Sequence, residues 1–264
     1  MDIPRWNERL CTLPLGGVYL FPEVGSTNLE AEKLIQAGAE PFSLVVADSQ
    51  TAGKGRQDRS WITRPGQALA FSWILYPEKG RIQPEILGRI SGLGALAVTD
   101  GIQEKCGLVS EIKWPNDVLV EGRKVAGILV EVHWQGCELL DVILGIGINV
   151  RLDSIPADPP FQFPASSLEA SCGKEINRLD FLVAVMESLQ KWYRQLAEPS
   201  LIKAWNDRLA YRNQLVSLIS PREPLAEGIL VGVEEDGALI LETHRGELRH
   251  FHSGEIQLRL VDRS

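Results

Sequence analysis

No run of this sequence is apolar for long enough to cross a membrane: uninterrupted apolar stretches reach about ten residues, roughly half of what a helical span needs. The N-terminus, MDIPRWNERLC, carries charge from its second residue and has no apolar core followed by a small-residue cleavage site, so it does not read as a secretory signal. Cysteine is scarce. Cys11, Cys106, Cys137 and Cys172 stand far apart in sequence, with no CxxC pair and no metal-ligand spacing, and read as reduced thiols of a cytoplasmic protein. Histidine offers little for metal: His250 and His252 fall two apart on one strand face, with no third ligand near in sequence. Internal repeats and low-complexity tracts are absent too. The chain is short of positive charge, with a net charge of −8 and a pI of about 5.2. As a whole it repels nucleic acid and anionic membrane, so an anionic ligand needs a local basic patch. What is there is the composition of an ordinary globular protein, and 264 residues give room for one large domain and a small one.

The pattern along the chain changes once. Thr27-Asn28-Leu29-Glu30 has the Thr-x-x-Glu form of a capping box, and Leu29, Leu34 and Ile35 follow at helical spacing, which predicts a helix to about residue 38. Residues 43–48 (SLVVAD) predict a buried strand. Residues 50–66 are rich in Gly and charge without an apolar period, a loop longer than the usual connection and therefore a candidate functional loop. Residues 68–76 alternate, with Leu69, Phe71, Trp73 and Leu75 on one face of a strand. A long helix is expected over 84–105, with Ile86, Leu87, Ile90, Leu93, Leu96 and Ala97 on its apolar side. Then come a strand at 111–114, a hairpin turning at Glu121-Gly122-Arg123, a strand at 125–132, and a strand at 139–150 that is apolar enough to be buried on both faces. The stretch 154–165 holds four prolines and reads as irregular, and helices follow at 179–196 and 201–209. From residue 213 short β runs (LVSLI, AEGILVGV, ALILET, GEIQLRL) alternate with Asp236-Gly237 and Arg245-Gly246 turns. The expectation is an α+β domain over 1–211 and a small β-barrel over 212–264.

Four segments could carry chemistry. Residues 50–61 (QTAGKGRQDRSW) place Lys54, Arg56 and Arg59 within six residues, among glycines, in an acidic chain. Glycine lets backbone N–H groups approach a ligand, and Lys and Arg suit phosphate. The spacing is not that of a Walker loop, and a solvated basic loop is the plain alternative. In Lys113-Trp114-Pro115-Asn116-Asp117, Pro115 ends a strand and leaves Asn116 and Asp117 at its end, either as ligand groups or as an ordinary turn. Lys124 precedes Val125-Ala126-Gly127, where it could aim an ammonium into a pocket or simply sit exposed on a hairpin. Gly145-Ile146-Gly147-Ile148-Asn149 puts two glycines in a buried strand, which makes sense if something flat lies on the backbone there, and it is not a dinucleotide fingerprint.

Together and in this order, Ser26-Thr27-Asn28, the 50–61 loop, KWPND at 113–117, RKVAGILVE at 123–131 and GIGIN at 145–149 resemble the biotin–protein ligases, over nearly the whole chain from about residue 18. The resemblance implies a mixed-sheet catalytic domain of the biotin/lipoate ligase type with a small SH3-like C-terminal barrel. It implies that biotin and ATP, with Mg²⁺, form biotinyl-5′-AMP, and that biotin then passes to one lysine of a biotin carboxyl carrier protein of acetyl-CoA carboxylase. By position, Ser26, Thr27, Asn28 and Gln50 would bind the ureido end of biotin, and Gly53, Arg56, Gly127, Ile128, Leu129 and Gly145 the rest of its pocket. Lys54, Arg56, Arg59 and Lys124 would surround the carboxylate and phosphates, and Trp61 would lie on adenine. Asn116, Asp117 and Asn149 would face the nucleotide and metal, with no individual metal ligand assigned. Lys124, Arg56 and Asp117 would be the catalytic groups, Asp117 orienting or deprotonating the acceptor amine. The family's loop most often reads GRGRRGR; here Lys54 gives up a planar fork and Asp58 replaces a glycine. Some members carry an N-terminal DNA-binding domain, and too few residues precede Ser26 to hold one, so the expectation is the short type, with no DNA and no membrane partner. A homodimer stays open. The rivals are a lipoate–protein ligase of the same fold and a non-catalytic biotin-binding protein; KWPND with the short Gly-Lys-Gly-Arg loop favours biotin, and Lys124, Arg56 and Asp117 together exceed what binding alone needs.

Overall fold

A seven-stranded mixed sheet and a five-stranded antiparallel sheet organise the chain. The computed structural model describes residues 1–57, 59–77, 82–155, 164–219, 226–252 and 257–260. The first sheet contains β1 (Val18–Val24), β2 (Leu44–Gln50), β3 (Ala68–Leu75), β4 (Glu111–Lys113), β5 (Asp117–Val120), β6 (Arg123–Gln135) and β7 (Glu138–Asn149), in the order β1-β2-β3-β7-β6-β5-β4. β1 and β2 are parallel and every other pair is antiparallel. The helices are α1 (Ile3–Leu10), α2 (Thr27–Gln36), α3 (Gly88–Cys106), α4 (Leu168–Cys172), α5 (Arg178–Arg194) and α6 (Pro199–Asp207). Among the described residues none is long and apolar enough to cross a membrane.

The central strand explains the layering. On β3 the large residues Leu69, Phe71, Trp73 and Leu75 join the main core, against the layer of α3 and α5. The alternation predicts one buried face, yet every position of β3 is buried. Ile74, on the second face, packs with Ala31 of α2, Val45 and Ile143 in a smaller cluster, while Ala70 is small where the sheet borders a cavity and Ser72 where it meets Thr27 and Asn28. α2 therefore covers one end of that face, and the cavity takes the rest.

Several local expectations change. The capping box does not form: the helix starts at Thr27, the Ser26 side chain makes no cap bond, and Glu30 pairs with Lys33 at 2.7 Å. The Thr27 amide and hydroxyl bond to Gln50 instead, so groups expected to cap a helix belong to the cavity. The helix expected over 84–105 opens with a 3-10 turn at Pro84–Ile86, and Gly107, in the left-handed region, stops it. β6 runs past 132 to a Gly136-Cys137 turn. α1 and α4 were not expected; α1 is started by Asp2, whose carboxylate accepts from the Arg5 amide, with Pro4 in the first turn, and it buries Trp6 and Leu10.

The second sheet holds β8 (Leu215–Ile219), β9 (Ala226–Val233), β10 (Leu239–Glu242), β11 (Leu248–Phe251) and β12 (Gln257–Leu260), in the order β11-β10-β9-β8-β12. Gly237 and Gly246 take positive φ in the two expected turns. Of the GEIQLRL run, only the last four residues lie within the described residues. The apolar side chains of this sheet, Leu218, Leu230, Val233, Leu239 and Phe251 among them, join the same core cluster as the first sheet.

Candidate active site

The long loop after β2 folds back on itself. Gln50 bridges to Thr63 and Lys54 to Ser60, the Gly55 amide donates to the Arg59 carbonyl at 2.6 Å, and the Trp61 amide donates to the Gly53 carbonyl at 2.8 Å. This flap closes over the second face of the first sheet and leaves a cavity of about 330 Å³, within the range of small-molecule sites. Ser26, Thr27, Asn28, Gln50, Lys54, Arg56, Arg59, Trp61, Asn116, Asp117, Lys124, Gly127, Ile128, Leu129, Gly145 and Asn149 all line it. Gly53 does not. A side chain there would meet the Trp61 carbonyl and the Gln50 amide, so the flap turn needs glycine at this position. Asp58 lies outside the described residues.

One end of the cavity is a network of uncharged hydrogen-bonding side chains, Thr27, Asn28, Gln50 and Ser72, backed by Glu131. Gln50 Oε1 accepts from the Thr27 amide (2.8 Å) and hydroxyl (3.2 Å), and its Nε2 donates to Thr63 Oγ1 at 3.1 Å. Ser72 Oγ lies 2.8 Å from Thr27 Oγ1 and 2.6 Å from Asn28 Oδ1, and Asn28 Nδ2 donates to Glu131 Oε2 at 2.6 Å. These side chains fix one another's orientation, which suits a ligand presenting both donors and acceptors. Lys54 lines the cavity too, with its ammonium 3.7 Å from Glu131.

The other end is cationic. Lys124 Nζ lies 2.5 Å from Asp117 Oδ1, and Arg56 Nη1 donates to Asn116 Oδ1 at 3.3 Å. Burial lowers the Arg56 guanidinium from its ordinary range, Asp117 counteracts this, and Arg59 adds to the lowering; a guanidinium stays charged at physiological pH all the same. Asn116 is pinned twice to β6: its Nδ2 donates to the Ile128 carbonyl at 2.9 Å, and its carbonyl accepts from the Ile128 amide at 2.9 Å. Asn149 Nδ2 donates to the Ser166 carbonyl at 3.2 Å, and the Lys124 backbone pairs with Pro164 and Ser166. Lys124 is thereby held from both sides.

The glycines between the two ends carry an indole. A side chain at Gly147 would collide with the Trp61 ring, and one at Gly127 would crowd both Trp61 and Lys124. Lys124 Nζ sits 5.5 Å from the Trp61 ring centre, within cation–π range. The flat group that the glycine strand accommodates is thus its own Trp61, whose buried Nε1 has no hydrogen-bond partner among the described residues.

Comparison with known proteins bears on what fills such a two-ended cavity. Residues 20–149 match the model of the biotin/lipoate A/B protein ligase family, and residues 213–259 the biotin protein ligase C terminal domain. The chain is 34% identical over 232 residues to the biotin–[acetyl-CoA-carboxylase] ligase of Paracoccus denitrificans, covering 86% of this chain and 95% of that protein. It is 32% identical over 257 residues to the bifunctional ligase/repressor BirA of Bacillus subtilis, covering 94% of this chain and 76% of that protein. The structure superposes on the biotin protein ligase from Aquifex aeolicus in complex with biotin and ATP with a TM-score of 0.78, at 29% identity, over 93% of this chain and 99% of that one. The chain belongs to the biotin protein ligase family.

Two groups of this biotin protein ligase site were not anticipated. Ser72 sits among large β3 residues, and its small size was the available signal. Glu131 ends the RKVAGILVE run, and nothing local marks it as the acceptor for both Asn28 and Lys54.

Proposed function

We propose that this chain activates biotin with ATP to biotinyl-5′-AMP and transfers the biotin to a lysine of a biotin carboxyl carrier protein. One observation carries the reading: a single cavity joins a neutral donor–acceptor end at Thr27, Asn28 and Gln50 to a cationic end at Arg56 and Lys124. Biotin has a neutral, hydrogen-bonding ureido ring and an anionic carboxylate, and the two ends match it in that order.

In the first half-reaction a biotin carboxylate oxygen attacks the α-phosphorus of ATP and pyrophosphate leaves. No base is needed, because the carboxylate is already ionised. The obstacle is bringing two anions together, and Lys124 and Arg56 oppose that repulsion where charge accumulates. In the second half a lysine amine of the carrier attacks the biotinyl carbonyl, AMP leaves, and the amine gives up a proton. Asp117, beside Lys124, orients or deprotonates that amine. Mg²⁺ enters with ATP as part of the substrate, because phosphate oxygens are the ligands it prefers. Among the described residues no group of three or more His, Cys, Asp or Glu could hold a metal, and the cationic end offers one carboxylate rather than a cage. The reading carries a cytoplasmic location with it, where ATP is supplied and the four free thiols stay reduced.

The test is incubation with biotin, ATP, Mg²⁺ and the carrier domain of an acetyl-CoA carboxylase, followed by intact mass. The expected result is a shift by one biotin that requires ATP. No shift, or a shift with lipoate in place of biotin, would overturn the proposal.

A further inference from the structure

Among the described residues none of the second sheet lines the cavity, yet one turn of that sheet touches the segment that builds its cationic end. Trp114 is 1% exposed, and its indole Nε1 donates to the Gly237 carbonyl at 3.0 Å, across 123 residues of sequence. A buried indole N–H needs an acceptor, so the ring and the turn are fixed relative to each other.

The turn at 234–238 is itself rigid. The Glu234 amide donates to the Ala238 carbonyl (2.8 Å), the Gly237 amide to the Glu234 carbonyl (3.0 Å), and the Ala238 amide to Asp236 Oδ1 (2.8 Å). It is seated on the start of α3. Gly237 has φ +91°, and a Cβ there would come within 2.7 Å of the Gly88 carbonyl carbon. Arg89, buried, donates to the Glu235 and Leu196 carbonyls. From the same end of α3, Ser91 Oγ donates to the Pro115 carbonyl at 2.6 Å. The run Trp114-Pro115-Asn116-Asp117 is therefore gripped at its first two residues, while Asn116 and Asp117 meet Arg56 and Lys124.

We infer that the 234–238 turn is a positioning element of the ligase site, acting through Trp114 to hold Asn116 and Asp117 in register with Arg56 and Lys124. The second sheet thereby acts on the adenylate-forming end of the cavity through Trp114. This rests on the ligase reading, and the wild-type assay tests that reading first. Among the described residues the ureido end has no such link to the turn, so displacing the turn should cost more in kcat than in biotin affinity.

Two variants displace the turn without altering the cavity lining. Gly237→Ala forces it off Gly88, and Asp236→Ala, which removes a half-exposed carboxylate bonded to the Ala238 amide and 3.4 Å from His252, loosens it outside the core. In biotin-dependent pyrophosphate exchange kcat should fall about tenfold for Gly237→Ala, the scale on which small misplacements act, and to a lesser degree for Asp236→Ala. The biotin Kd, measured by calorimetry without ATP, should worsen by a smaller factor than kcat falls, since the ureido end of the cavity is unaltered and only the carboxylate end meets the displaced residues. A second readout needs no activity: backbone hydrogen exchange over 112–120 should quicken in both variants while that over 26–50 stays as in wild type. The inference fails if both variants keep wild-type kcat, if biotin Kd worsens in step with kcat, or if exchange over 112–120 is unchanged. Should Gly237→Ala not fold, Asp236→Ala decides by the same readouts.

Discussion

At the scale of single residues, charge and burial set what each side chain can do. Lys124 is the clearest instance: its ammonium is ion-paired to Asp117, it lies near the Trp61 ring, and its backbone is held by Pro164 and Ser166. A cation preorganised where two anions must meet acts on the transition state, and removing such a group costs about 10²–10³ in rate. Lys124→Ala is expected to lose biotin-dependent pyrophosphate exchange by about that factor, with a melting temperature close to wild type because the side chain is not part of the core. Exchange near the wild-type rate in that variant would remove Lys124 from the mechanism. Burial acts differently on Cys106. It pushes the thiol up to about 11, and the neighbouring Cys172 adds to the rise. Since the thiolate is the reactive form, a disulfide reagent at pH 8 should label the exposed Cys11 and Cys137 quickly and leave Cys106 unmodified until denaturant is added. Labelling of Cys106 in the native protein would contradict this, and peptide mapping can tell the sites apart.

At the scale of elements, the site is made where β3, β7 and β6 lie side by side. Their register sets Ser72 beside Gly145 and Gly145 beside Leu129, and likewise Ala70, Gly147 and Gly127 in a row. That second row is the floor on which Trp61 lies. Gly147→Val puts a side chain into the indole, so the flap should be lifted at Trp61 while Thr27, Asn28 and Gln50 keep their network. The expected outcome is a KM for ATP raised about tenfold with a smaller change in biotin affinity. An unchanged KM for ATP would show that the position of Trp61 on the glycine floor does not matter for nucleotide binding. The same register explains what could be read from sequence. KWPND, Lys124 and the paired glycines were legible because each motif is contiguous, and the alternation of β3 gave its core face. Ser72 and Glu131 were not, since only strand pairing brings them to Asn28. The Thr27 cap was misread for a related reason: its partner Gln50 is 23 residues away, and a tertiary hydrogen bond displaced the local one. The Trp114–Gly237 bond, between the two sheets, had no sequence signal at all.

At the scale of the whole molecule, the two sheets share one apolar core and are joined by polar links, so the chain should unfold as a unit. Asn206 at the end of α6 donates to the Val233 carbonyl (2.9 Å) and accepts from the Val233 amide (2.7 Å), adding to the Arg89 and Trp114 contacts. Asp48 of β2 ties the first sheet to α5: its carboxylate accepts from Arg178 at 2.8 Å, and Arg178 also donates to the Ala68 carbonyl and lies over the Trp6 ring. Burial pushes the Asp48 carboxyl up, but the hydrogen bonds and charges of Arg178 and the N-terminal ammonium outweigh it and bring the group below its ordinary value of 3.8. A carboxylate lowered in the folded state binds its proton more readily in the unfolded chain. Its stabilisation is therefore fully present above the unfolded value and drains away as pH falls through the folded one. Urea unfolding followed from pH 7 down to pH 3 should show a single transition by both far-UV circular dichroism and tryptophan fluorescence. Asp48→Asn should lower stability at pH 7 by about 3 kcal/mol, the cost of leaving one partner of a buried pair behind, and the gap to wild type should narrow as pH drops below about 4. Two separate transitions would refute the shared core, and a gap that stays constant with pH would mean that the Asp48 charge is not what links β2 to α5.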